Sequence, residues 1–125
     1  MKIKGKALLN LDEKRKYQRV QTDNLVSYTC IDDNNVESDQ GVGKAIDISQ
    51  GGLLLESHSA IETEKILLTT VNEKNELMEI TARVAYCREE KPGVFFTGIE
   101  FKEESEKIRQ IVVGMIKIYN LEKNS

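Results

Sequence analysis

Two short stretches of the chain carry side chains able to do chemistry together. In Arg15-Lys16-Tyr17-Gln18-Arg19, two guanidinium groups stand four residues apart. Each is a rigid fork of donors, so a pair can grip an anion and the edge of a planar group at once, which lysine does less well. About 30 residues on, Asp47-Ile48-Ser49-Gln50-Gly51-Gly52 places a carboxylate and a hydroxyl two positions apart. In a strand that spacing puts both on one face, here predicted to point outward, while Ile46 and Ile48 enter the core. The glycines that follow allow positive φ and close backbone approach, so a flat ligand could lie against main-chain atoms. Each stretch also has a plainer meaning. RxxxR is equally a solvated basic segment, and Asp, Ser and Gly are common turn formers at a strand end.

Other reactive residue types offer less. His58 stands between Ser57 and Ser59 in what reads as an exposed loop, with no nucleophile or metal-ligand partner at recognisable spacing. Cys30 and Cys87 are 57 positions apart and form no CxxC pair. They suit small buried or half-buried strand positions better than a disulfide framework or a zinc site. Glu62, Glu64 and the run Glu89-Glu90-Lys91 fit solvated turns. The expectation is therefore a binding module with no catalytic residues, no metal and no bound cofactor. Tyr17 either stacks on a base or anchors the arm to the barrel.

Six strands and a helix are predicted to position these groups. Val20 to Ile31 reads as the first strand, closed by the turn formers Asp32-Asp33-Asn34-Asn35. Val42 to Ser49 is the second, Leu53 to Glu56 the third and Ile66 to Val71 the fourth, with Asn72 to Asn75 as its turn. The fifth alternates most clearly, with Met78, Ile80, Ala82, Val84 and Tyr86 on a core face. Pro92-Gly93 turns the chain into the sixth, Val94 to Phe101, which carries Phe95, Ile99 and Phe101 on one side. Turns too short for crossover helices imply antiparallel pairing. The predicted fold is mainly β, a six-stranded antiparallel barrel over about 20–102 followed by a C-terminal α-helix over about 103–122. In that helix Ile108, Ile111, Val112, Met115 and Tyr119 form an apolar stripe, and Ser105 could cap it. The stripe packs either on the barrel or against a partner molecule.

Length and charge narrow the function classes. The 125 residues suit one domain, with residues 1–11 as a flexible basic arm and 12–125 as the folded unit. No apolar run approaches the roughly 20 residues that cross a bilayer, and the start lacks a secretory hydrophobic stretch, so a cytoplasmic location is expected. Residues 1–20 carry seven Lys or Arg against Asp12 and Glu13, a local +5, so the total of −3 leaves −8 on the remaining 105 residues. Such a body repels a long polyanion, whereas a small anionic ligand met by a basic arm fits. Met1 to Gln18 holds too few apolar residues to order by itself, so the arm is expected to order on ligand.

The two stretches complement one nucleobase. A bidentate arginine matches O6 and N7 of guanine, and a carboxylate such as Asp47 accepts from N1 and N2 on the opposite edge. An RxxxR arm, then DxSxxG at a strand end, then an antiparallel barrel and a terminal helix resembles the PilZ domain family over roughly residues 12 to 120. Gly98-Ile99-Glu100-Phe101 is similar to the family's last strand. The resemblance implies a receptor for the bacterial second messenger cyclic di-GMP that relays binding as a conformational change to a downstream protein. It implies that Arg15 and Arg19 hold phosphates and guanine edges, while Asp47, Ser49 and Gly52 seat a guanine on the barrel, with Lys14 and Gly51 as additional contacts. Lys14 departs from the arginine or leucine found just before RxxxR in the family, so one or two bound nucleotides stay open, as does a homodimer. The rival class is a PilZ-like adaptor for motility or pili that never engages nucleotide. A barrel for single-stranded nucleic acid is weaker, because it needs aromatic platforms on a basic face and Tyr86, Phe95 and Phe101 fall on predicted core faces.

Overall fold

The computed structural model of the chain describes residues 20–72, 74–102 and 106–123. Six strands follow one another: β1 (Val20–Ile31), β2 (Glu37–Ser49), β3 (Gly52–Ser57), β4 (Lys65–Val71), β5 (Leu77–Lys91) and β6 (Val94–Glu100). A helix, α1 (Glu106–Lys123), follows them. Every pairing is antiparallel, and the order β1-β2-β3-β6-β5-β4 closes because β1 also pairs with β4. Closure leaves no sheet edge unpaired around the ring.

Strict alternation explains β1 and β4. Thr22, Asn24, Val26, Tyr28 and Cys30 of β1 point inward, as do Ile66, Leu68 and Thr70 of β4. They meet Ala45, Ile48, Leu53, Leu55, Ala82 and Ile99 in a single core. Four residues of the predicted helical stripe join that core, with Ile108, Ile111, Val112 and Met115 buried against the barrel through β1, β4 and β5, while the Tyr119 side chain lies outside the described residues. Inside the seam Asn24 Nδ2 donates to the carbonyl of Met115 at 3.0 Å. Lys107 Nζ donates to the Glu79 carbonyl from the helix's first turns.

The hairpin turns use local side-chain chemistry. Asp32 Oδ1 accepts from the backbone of Asn34 and Val36, each at 2.9 Å, and Asn35 takes φ 62°. The same device recurs at Asn72, whose Oδ1 accepts from Lys74 and Glu76, with Asn75 at φ 64°. These tight turns let β2 begin at Glu37, earlier than predicted. Gly93 at φ 79° turns β5 into β6, and Glu89 to Lys91 lie in β5 rather than in a turn.

Two bulges overturn parts of the expected alternation. The β2–β3 register shifts between Ala45 and Asp47, so Ala45 and Ile48 are both in the core and Ile46 is half-exposed. In β5 the register shifts between Val84 and Tyr86. The extra residue rotates the strand, turning Cys87 toward the core and leaving Tyr86 46% exposed on the outer wall, not inside as predicted.

Candidate functional site

The end of β2 and the start of β1 come together. Val20 opposes Ile48, and Gln21 opposes Asp47. On the other side Asp47 opposes Leu54, Ile48 opposes Leu53, and Ser49 opposes Gly52. The residues from Asp47 to Gly52 thus form a hairpin end flanked directly by Val20 and Gln21 of β1. Lys14, Arg15, Tyr17 and Arg19, like Ser105, lie outside the described residues. Val20, the residue that follows Arg19 in sequence, faces Ile48, the middle of the Asp47-Ile48-Ser49 triplet.

The hairpin end is rigidly tied. Ser49 is buried, contrary to the expected outward hydroxyl, and its Oγ accepts from the Gly51 N–H at 3.1 Å. The Gly51 carbonyl accepts from Phe101 N–H at 2.9 Å, which binds the turn to the end of β6. Gly52 does not need positive φ. A Cβ there would drive into the Ile99 carbonyl oxygen across the β3–β6 pair, so close strand approach is what demands glycine. Asp47 is half-buried at the rim of this turn.

Outward-facing residues extend the site across the sheet. Gln21, Asp47, Leu54, Gly98 and Tyr86 form one continuous row over β1, β2, β3, β6 and β5. At about 4.8 Å per strand, Tyr86 lies three strands, or about 14 Å, from Asp47. The Tyr86 ring leans back over Gly98, the space a side chain at that position would fill. Arg88 places its guanidinium 5.5 Å from the Tyr86 ring and 5.8 Å from Phe96. Its hydrogen bond to Glu90 favours the charged form still further. Beside Gly52, Glu100 is hydrogen-bonded by Arg83 through Nε at 3.1 Å. Sequence alternation missed Tyr86 because the bulge that exposes it leaves no mark on the hydrophobic pattern.

The other candidates hold structural positions. His58 is exposed, with Nδ1 3.2 Å from the Gly93 carbonyl oxygen. Cys30 and Cys87 are free thiols, one buried and one half-buried. Burial pushes the Cys30 thiol and the Tyr28 hydroxyl above their usual pKa values, so both stay protonated at neutral pH. Among the described residues no three His, Cys, Asp or Glu side chains converge as metal ligands, and no helix is long and apolar enough to cross a membrane.

The chain matches the PilZ domain over residues 13–117. No curated protein sequence matches it. Several solved structures share its fold. The PilZ domain of YcgR from Escherichia coli, solved with c-di-GMP, superposes with a TM-score of 0.59 at 13% identity, covering 89% of this chain and 95% of that one. MotI/DgrA, an inhibitor of motility from Bacillus subtilis, gives 0.57 at 18% identity, covering 88% and 52%. MrkH of K. pneumonia in its apo state gives 0.53 at 14% identity, covering 85% and 51%. The chain therefore spans about half the length of MotI and of MrkH.

Proposed function

We propose that this chain, which belongs to the PilZ domain family, is a receptor for cyclic di-GMP, held between its N-terminal arm and the hairpin end of β2. One observation carries the proposal: Val20, directly after the RxxxR motif in sequence, opposes Ile48 between Asp47 and Ser49. Arg15, four residues before Arg19, reaches at most about 14 Å further, about the span of a dinucleotide. In this reading Arg15 and Arg19 clamp phosphates and guanine edges, and the Asp47 carboxylate accepts from guanine N1 and N2. Ser49, Gly51 and Gly52 supply a flat, tied floor, and Lys14 adds positive charge. Tyr86 and Arg88 offer an aromatic face and a cation on the same wall, suited to stacking a second purine. The nucleotide is held, not turned over, and the RxxxR segment closed over it is the signal that a downstream protein reads. The YcgR domain solved with c-di-GMP supports this use of the fold.

A thermal-shift titration tests it. Ligand at about 100 times its Kd stabilises a fold by roughly 2.7 kcal/mol. Cyclic di-GMP is expected to raise the melting temperature while GTP and oligonucleotides leave it unchanged. No shift at saturating cyclic di-GMP would leave the second reading, a protein-docking adaptor, which the similarity in fold to an inhibitor of motility favours.

A further inference from the structure

On the outer wall, β1, β2, β4 and β5 enclose an open groove of about 340 Å³, lined by Leu25, Val42, Val71 and Leu77 beside Ser27 and Thr69. Ser27 opposes Val42 on one side and Thr69 on the other, and Val71 opposes Leu77, so these residues form one patch across four strands. Leu77 is 75% exposed, Leu25 70% and Val42 59%. Scattered surface leucines need no explanation, but three large, mostly bare apolar side chains around one groove mark a surface that something covers.

We propose that the groove is covered by the chain's own segment Ala7-Leu8-Leu9-Asn10-Leu11. This is the apolar run of an arm otherwise rich in charge. Leu11 is nine residues before Val20, a span of up to about 30 Å. Leu25 lies only about 17 Å along β1 from Val20, so the segment reaches the groove with slack for a turn. Charge fixes its direction. Lys6 precedes the leucines, and Asp12 and Glu13 follow them. Lys44 opposes Leu25 on the β2 side, and Glu79 shares the outer face of β5 with Leu77 on the other. Lys6 therefore meets Glu79, and Asp12 meets Lys44. An arm too poor in apolar residues to order alone gains from the barrel the apolar partner it lacks. One consequence rests on the cyclic di-GMP reading. Lys44 is three residues from Asp47 along β2, and Asp12 is three residues from Arg15, so docking delivers Arg15 toward the Asp47 carboxylate.

Methyl NMR on the full chain without nucleotide tests the docking independently of ligand. Through-space cross-peaks are expected between the Leu8, Leu9 or Leu11 methyls and those of Leu25, Val42 or Leu77. Leu8→Asp/Leu9→Asp is expected to abolish them and to move the Leu25 and Leu77 resonances. The Ile48 and Ile99 methyls report whether the barrel stays folded. Absence of cross-peaks, with Leu25 and Leu77 unmoved by the double substitution, overturns the proposal. So do cross-peaks that arise only between differently labelled copies, which would put a second molecule in the groove. Docking in a chain that ignores cyclic di-GMP would remove the receptor reading and leave this one standing.

Discussion

In the proposed receptor, arginine rather than lysine at positions 15 and 19 is the residue-level choice on which cyclic di-GMP binding would turn. A guanidinium donates two parallel hydrogen bonds in a fixed plane and stays charged, while an ammonium offers one mobile point charge. Arg15→Ala or Arg19→Ala is expected to weaken cyclic di-GMP binding by about 1 to 3 kcal/mol, or roughly 5- to 150-fold. Tyr86→Ala belongs in the same calorimetric series. An aromatic face contributes about 1 to 3 kcal/mol per stacked base, and this ring is half-exposed, so its removal should cost binding without costing the fold. An arginine variant within twofold of the wild type would take that residue out of the site, and an unaffected Tyr86→Ala would confine the ligand to the β2 side. Ser49 is unsuited to such a test. Its hydroxyl already holds the Gly51 N–H, so a loss there mixes turn stability with contact.

At the scale of elements, the glycine of DxSxxG shows how a motif residue can belong to the fold. Alanine usually gains about 0.4 to 1 kcal/mol over glycine by restricting the unfolded chain. At position 52 the added Cβ meets the Ile99 carbonyl, which is backbone and cannot rotate away, so β3 and β6 must part locally. Overpacking of this kind costs about 1 to 3 kcal/mol and outweighs the entropic gain. Gly52→Ala is therefore expected to lower the urea midpoint with an unchanged slope. Gly98→Ala meets only the exposed Tyr86 ring, which can swing aside, and should cost less than about 1 kcal/mol. Equal midpoints for the two variants would mean that the β3–β6 backbone yields. The same elements show what local sequence can carry. Strand β1 ends where its alternation ends, at Ile31, and the helix buries Ile108, Ile111, Val112 and Met115 of the stripe that its period marks, because both signals are repeated over several turns or pleats. Alternation alone misplaces Ile46 and Tyr86, because one inserted residue reverses every side chain beyond it, and a bulge is decided by the partner strand. Asp47, Ser49 and Gly52 stood out as a motif, but their meeting with the start of β1 depends on pairing register, which no window of sequence contains. The groove at Leu25 and Leu77 was equally hidden, since it is assembled from four strands.

For the whole molecule, the separation of charge sets two electrostatic effects against each other. Residues 1–20, at +5, would attract a dinucleotide bearing two phosphates, and the remaining 105, at −8, would repel it. Distance decides between them. A chain of 125 residues has a radius of gyration of about 14 Å, so most body charges lie beyond the Debye length of about 10 Å at 0.1 M salt. The arm's guanidinium groups would sit in contact with phosphate, where attraction is strongest. Raising salt to 1 M shortens the Debye length to about 3 Å and weakens mainly those contacts. Two partly exposed ion pairs at about 0.2 to 1 kcal/mol each amount to roughly 0.4 to 2 kcal/mol, so the Kd for cyclic di-GMP should rise about 2- to 30-fold between 0.1 and 1 M sodium chloride. Arg19→Ala should bind more weakly at low salt and lose less on addition of salt, because one of the screened pairs is already gone. Affinity that stays constant or tightens with salt would mean that the body's field governs the encounter. The basic arm would then be no part of the clamp, whatever the barrel surface holds.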